Sequence, residues 1–124
     1  MTDIMVFDDS RTVRMFVEMT LSQHGYAVDT FYDLRTLDKG SPRPKLVLLD
    51  VHMDEFFGTD LLAHIRQLWS DPPRIYLYSE MAEAQLEQTV EDSGADGYIS
   101  KSWGYEGLVD AVRDAIGGDT GQCQ

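Results

Sequence analysis

The chain has 124 residues, of which 43% are hydrophobic and 26% charged, so we expect a single domain with one core. No apolar stretch approaches the roughly 20 residues of a membrane span, and the amino terminus lacks the basic segment of a secretory signal. With 22 acidic and 10 basic residues the net charge is −12, which opposes direct nucleic acid binding. The lack of a membrane span and of a secretory signal predicts a cytoplasmic protein without membrane contact.

The first half of the chain alternates apolar runs with helical patterns, which is typical of strands joined by crossover helices around a parallel sheet. We predict strands at residues 3–8, 27–32 and 45–49. Ser10 is predicted to be the N-cap of the first helix, which Gly25 ends. A short second helix containing Leu34 and Leu37 is predicted between the second and third strands.

The second half repeats this alternation. Residues 74–79 and 97–101 are predicted to be the fourth and fifth strands. The third, fourth and fifth helices are predicted from their apolar faces, which include Leu61 to Trp69, Leu86 and Val90, and Leu108 to Ile116. We expect a domain at residues 1–118, followed at 119–124 by a flexible tail or the start of a linker.

Polar residues follow four of the predicted strands or close them. These residues are Asp8 and Asp9, Asp50, Ser79 and Lys101. Because the carboxyl ends of parallel strands share one edge of a sheet, we expect these side chains to meet there. Clustered carboxylates repel one another unless a cation lies among them, and an ammonium with a hydroxyl matches phosphate oxygens. The pattern predicts a site for a divalent cation and a phosphoryl group.

This ordered set of residues resembles the receiver domain of two-component response regulators. Three further motifs agree: HGY at 24–26, the spacing of Met53 and Gly58 after Asp50, and GAD at 94–96. The similarity extends from about Asp3 to Ile116. It implies an α/β fold, with a doubly wound five-stranded parallel sheet of strand order 2-1-3-4-5 and five helices in three layers.

The resemblance also implies a metal-dependent phosphoacceptor. Asp50 would be the nucleophile that attacks a phosphohistidine. Mg²⁺, or alternatively Mn²⁺, would be bound directly by Asp9 and Asp50, through water by Asp8, and by the backbone carbonyl of His52. A protein of this kind phosphorylates itself rather than acting as a conventional enzyme, and autophosphatase activity is left open.

The remaining implied roles concern signalling. Lys101 and Ser79 would bind the phosphoryl group, and Ser79 would act together with Tyr98 as the switch. A sensor histidine kinase or a histidine phosphotransfer protein would be the donor. A downstream effector domain or protein would bind the face formed by the fourth helix, the fifth strand and the fifth helix, where Tyr98 and Trp103 are candidate contacts. A homodimer is left open.

The chain departs from the family pattern near the site. Asp54 stands at a position where proline is usual. Ser102 also stands where proline is usual, after Lys101, so we expect the Lys101–Ser102 peptide bond to be trans, or to be a strained cis bond. Glu80 replaces a small residue and, with Met81, is a candidate for tuning the site. A carboxylate at Glu80 is expected to slow phosphorylation by small donors or hydrolysis of the product.

Other interpretations remain open at this stage. Asp8 and Asp9 could cap the first helix, Ser79 could be a turn residue and Lys101 a solvated one. The fold could serve as a degenerate receiver that binds proteins without phosphorylation. A haloacid dehalogenase lacks support because Asp50 is not followed by a second aspartate two residues later, and flavin binding lacks a phosphate loop after the first strand.

Overall fold

The computed structural model describes residues 2–32, 40–51 and 58–120, with only the backbone described at 58–61 and 117–120. The strands are β1 (Ile4–Phe7), β2 (Val28–Phe31), β3 (Leu46–Leu49), β4 (Arg74–Ser79) and β5 (Gly97–Ser100). The described helices are α1 (Arg11–Ser22), α2 (Gly58–Leu68), α3 (Glu83–Ser93) and α4 (Gly104–Thr120). The predicted fourth and fifth helices are α3 and α4. The predicted helix at Leu34 and Leu37 lies outside the described residues.

The five strands form one parallel sheet in the order β2-β1-β3-β4-β5, as predicted. All residues of β1 and β3 are buried, because these continuous apolar strands are covered on both faces. The backbone ladder continues past both strands: the Asp8 amide donates to the Phe31 carbonyl at 3.0 Å, and the Asp50 amide donates to the Phe7 carbonyl at 2.9 Å. The sheet therefore holds the backbones of both acids at its carboxyl edge.

Two apolar clusters cover the sheet and create the three predicted layers. Alternate residues of each strand point to opposite faces. Met5, Phe7 and Leu49 pack on one face with α2 and α3, whereas Ile4 and Val6 pack on the other with α1 and α4.

Polar caps and glycines limit the helices. The Ser10 hydroxyl accepts a hydrogen bond from the Val13 amide at 3.3 Å, as an N-cap does. Gly25, with φ of 89°, follows the end of α1, and Gly94, with φ of 80°, ends α3. Both adopt the left-handed conformation that costs glycine little.

β1, β2 and β3 are shorter than the predicted strands by one residue at one or both ends. Two further boundaries differ from the sequence prediction. β5 ends at Ser100, and Lys101 begins a short 3-10 turn (Lys101–Trp103) instead of closing the strand. α4 runs through Gly117 and Gly118 to Thr120. Within the described ranges, no helix combines the length and apolar character needed to cross a bilayer.

Candidate phosphoryl-transfer site

Three carboxylates meet at the carboxyl edge of the sheet. Asp8, Asp9 and Asp50 each place one oxygen within 4.8 Å of the others. Asp8 and Asp50 are buried, whereas Asp9 is exposed. The first turn of α1 does not need these acids as caps, because Ser10 caps it. The Ser10 amide instead donates to Asp8 Oδ1 at 2.9 Å, which orients that carboxylate.

The Lys101 ammonium completes the cluster. Its Nζ lies 2.8 Å from Asp8 Oδ2 and 3.9 Å from Asp50 Oδ1. The Lys101 side chain is only 13% exposed, so solvent screens these interactions weakly. One positive charge thus faces two buried carboxylates and leaves the cluster with a net negative charge.

Two serines shape the turn that presents Lys101. The Ser100 hydroxyl accepts the Ser102 amide at 3.2 Å and lies 2.7 Å from the Ser102 hydroxyl. No cis peptide occurs in the described ranges, so the Lys101–Ser102 bond is trans, the first of the two predicted alternatives. The side-chain hydrogen bonds stabilise a sharp turn where proline is absent.

Tyr78 lies beneath this ion pair and was not among the predicted site residues. The Lys101 Nζ is 5.5 Å from the centre of its ring, within the range of a cation–π interaction. Burial, and secondarily the negative charge of Asp8, raises the pKa of Tyr78 to about 12. The phenol therefore stays neutral near the acids.

Ser79 is fully buried at the end of β4. Its hydroxyl accepts the Met81 amide at 3.1 Å. Met81 is half-buried against the core, and its sulfur accepts from the Thr89 hydroxyl at 3.7 Å. The intervening Glu80 is exposed and faces a cavity that Lys101 also lines.

Tyr98 lies away from the acids, beside α3. Its hydroxyl is 3.2 Å from Glu83 Oε1 and 3.3 Å from Glu87 Oε2. The Trp103 Nε1 donates to Glu83 Oε2 at 3.1 Å, so Glu83 joins the two aromatic side chains. Partial desolvation, followed by the hydrogen bonds and charges of Glu83 and Glu87, raises the pKa of Tyr98. Neither glutamate was singled out from the sequence.

The cluster suits a hard divalent cation. It offers only carboxylate oxygens, which Mg²⁺, Mn²⁺ and Ca²⁺ accept and zinc accepts less readily. Asp8 Oδ2 is buried and has no hydrogen bond of regular geometry in the described part of the chain, although the Lys101 ammonium is close. A cation among the three acids would offset their repulsion. His52, the predicted carbonyl ligand, lies outside the described residues.

The structure thus brings Asp8, Asp9, Asp50 and Lys101 together, as the sequence pattern predicted. Ser79 lies at the end of the neighbouring strand β4, and Tyr98 lies on the side facing α3. This acidic cluster is consistent with a phosphoacceptor site.

Sequence comparison identifies the family. Residues 4–113 match the response regulator receiver domain. The KDP operon transcriptional regulatory protein KdpE of Escherichia coli (strain K12) is 29% identical over 121 residues, which cover 94% of this chain and 52% of that protein. The chain spans about half the length of the curated relatives it matches.

Structural comparison agrees on the fold. Chemotaxis response regulator CheY4 of Vibrio cholerae superposes with a TM-score of 0.74 at 22% identity, covering 93% of this chain and 98% of that one. A response regulator of Burkholderia pseudomallei, described with a phosphorylated aspartic acid, calcium ion and citrate, gives 0.73 at 22% identity, covering 96% and 71%. With the family match over nearly the whole chain, this protein belongs to the response regulator receiver domains of two-component systems.

Proposed function

We propose that this receiver accepts a phosphoryl group on Asp50 from a phosphohistidine, in a reaction that requires Mg²⁺ or Mn²⁺. The observation that carries the proposal is the position of Lys101 Nζ, 2.8 Å from Asp8 Oδ2 and 3.9 Å from Asp50 Oδ1. A cation, held directly by Asp9 and Asp50 and through water by Asp8, would supply charge neutralisation at the phosphoryl oxygens. The His52 carbonyl is proposed as a further ligand.

The residues of the chain divide the chemistry among them. An Asp50 carboxylate oxygen attacks phosphorus, and the bond from phosphorus to the imidazole nitrogen of the donor breaks. The Lys101 ammonium, which already faces Asp50, is placed to bind an oxygen of the transferred group. Ser79 exchanges its hydrogen bond with the Met81 amide for one to the new phosphate.

The donor is proposed to be a histidine kinase or a histidine phosphotransfer protein. Histidine kinases are the partners of receiver domains as a family. The chemistry of an aspartate acceptor suits the high transfer potential of a phosphoramidate donor.

Phosphorylation is proposed to release Tyr98 from α3. In the described structure Tyr98 is held beside α3 by Glu83 and Glu87. Movement of Ser79 towards a phosphate would open space for the Tyr98 ring, which would leave both carboxylates. The face that an effector reads would then be the surface of α3, β5 and α4, where Trp103 also contacts Glu83.

Labelling from a phosphodonor tests the acceptor. We expect the wild type to form one phosphoaspartate in the presence of Mg²⁺ and none in EDTA, as detected by intact-protein mass spectrometry. Asp50→Asn should abolish labelling. Asp71→Asn removes the same charge at a side chain that is 89% exposed, and should leave labelling unchanged.

An unlabelled wild type that still binds Mg²⁺ would contradict the proposal and support a phosphorylation-independent interaction module. Labelling that persists in Asp50→Asn would assign the acceptor to another residue.

A further inference from the structure

A cavity of about 300 Å³ opens beside the acidic cluster. Its lining residues come from α1, from the end of β4 and from the turn after β5, and they are Thr12, Val13, Phe16, Tyr78, Glu80 and Lys101. Lys101 belongs both to the lining of this cavity and to the acidic cluster, because its ammonium contacts Asp8. A group that leaves from phosphorus at Asp50 therefore has this space next to it.

The cavity has an apolar floor and a charged rim. Val13, Phe16 and the buried ring of Tyr78 provide flat and aliphatic surface, which suits a small ring. Glu80 lies at the exposed rim, one residue after Ser79. Its carboxylate makes no hydrogen bond or ion pair with residues in the described ranges, so it is available to a ligand.

On the basis of the proposed function, we infer that Glu80 is a specificity-determining residue that favours imidazole over acyl leaving groups. The cavity receives the leaving group, and the Glu80 carboxylate lies where it can interact with the ring nitrogen that does not carry phosphorus. The substrate class is a phosphoimidazole, as in a phosphohistidine side chain, rather than an acyl phosphate.

Charge balance gives the physical reason. When Asp50 attacks a phosphoimidazole that is protonated on its distal nitrogen, the O–P bond forms and the P–N bond breaks. The bonding electron pair stays on the ring nitrogen, and the imidazole leaves as a neutral molecule. A carboxylate near the distal N–H stabilises the protonated reactant. With acetyl phosphate a P–O bond breaks instead, and acetate leaves with a negative charge that Glu80 repels.

Paired donors test this assignment. The rate of Asp50 phosphorylation is measured with phosphoimidazole and with acetyl phosphate, at equal Mg²⁺, by mass spectrometry. Glu80→Gln keeps the size of the side chain and removes its charge. We expect the ratio of the phosphoimidazole rate to the acetyl phosphate rate to fall by about tenfold or more, a size typical of one nearby charge.

Two further variants and a pH profile separate charge from shape. Glu80→Asp should retain most of the wild-type ratio, and Glu91→Gln, an exposed acid on α3, should retain all of it. The pH above which the phosphoimidazole rate declines should move lower in Glu80→Gln, because the protonated donor is no longer stabilised. A purely structural role would not move this pH.

The outcomes are distinguishable. A fallen ratio with a shifted pH profile supports the assignment. Equal acceleration with both donors, or an unchanged ratio, would overturn it while leaving Asp50 as the acceptor. A wild type that takes phosphate from neither donor would overturn the proposed function itself.

Discussion

Lys101 forms a buried ion pair with Asp8, with Nζ and Oδ2 separated by 2.8 Å and side chains that are 13% and 1% exposed. Such pairs contribute little net stability compared with apolar residues, but losing one partner leaves an uncompensated buried charge. The pair therefore makes the cation-free protein sensitive to any change at Lys101.

Lys101→Met should lower the free energy of unfolding by about 3 kcal/mol in EDTA, because Asp8 loses its counter-charge. Urea denaturation measures this loss. Lys45→Met is the matched control: its half-exposed pair with Asp3 spans 3.9 Å, so its loss should cost less than about 1 kcal/mol. Adding Asp8→Asn to Lys101→Met should restore part of the stability, and no recovery would contradict the explanation.

Mg²⁺ should stabilise the wild type, by about 2.7 kcal/mol when free Mg²⁺ is 100 times its Kd. Asp9→Asn should lose most of this gain, because the carboxylate that it replaces belongs to the acidic cluster. In EDTA the same variant should be at least as stable as the wild type, since repulsion within the cluster is reduced. Thermal unfolding across a Mg²⁺ titration provides the measurement, with Asp71→Asn as the control for net charge. An equal Mg²⁺ response in both variants would exclude Asp9 as a ligand.

Tyr78 should make stability depend on pH in alkaline solution. Its pKa is raised from 10 to about 12 in the folded state, so folding favours the neutral phenol. The corresponding stabilisation is complete below pH 10 and is lost as the pH rises to about 12, with an upper limit of about 3 kcal/mol. Tyr78→Phe should remove this loss. The free energy of unfolding of the wild type and of Tyr78→Phe is measured by urea denaturation from pH 9 to 12. If the two free energies decline in parallel, Tyr78 does not cause the loss.

Glu83→Ala should increase the affinity for beryllofluoride, a mimic of the phosphoryl group. The variant loses the hydrogen bonds from Tyr98 and Trp103 to Glu83, which hold Tyr98 beside α3 and would oppose the proposed switched state. The hydrogen bond from Tyr98 to Glu83, worth about 0.5 to 1.5 kcal/mol, by itself predicts a gain of roughly twofold to tenfold in affinity.

The emission of Trp103 reports this binding when Trp69, the other tryptophan of the chain, is replaced by Phe. Glu91→Ala changes the same charge on α3 and should bind like the wild type. Weaker binding by Glu83→Ala would mean that the glutamate supports the switched state instead.

The sequence pattern was sufficient to predict a parallel sheet and the acidic cluster, because both follow from apolar runs and from the polar residues after them, whereas the strand order was implied by the resemblance to receiver domains. Asp8 and Asp50 follow two adjacent strands, and parallel strands end at one edge. Lys101 was expected beside the acids, where it lies, but it was assigned to the fifth strand. It begins a 3-10 turn instead, and this turn depends on hydrogen bonds between Ser100 and Ser102.

The contacts of Tyr78 and Glu83 could not be predicted in the same way. Tyr78 faces Lys101 because of the direction of its side chain on β4 and the path of the 3-10 turn after β5. Glu83, on α3, contacts Tyr98 on β5 and Trp103 in that turn. Such pairings depend on side-chain directions at sites distant in sequence, for which periodicity carries no information. A raised pKa for a phenol likewise follows from burial beside a particular acid rather than from residue type.

The hydrogen bonds that anchor the backbones of Asp8 and Asp50 in the sheet have a consequence for the duration of a response. The proposed acceptor Asp50 and its neighbour Asp8 are held by the backbone hydrogen bonds of the sheet, while Glu80 and Met81 follow the end of β4. If Asp50 accepts the phosphoryl group as proposed, substitutions at those two positions are expected to change how long the group persists without displacing the backbone of Asp50.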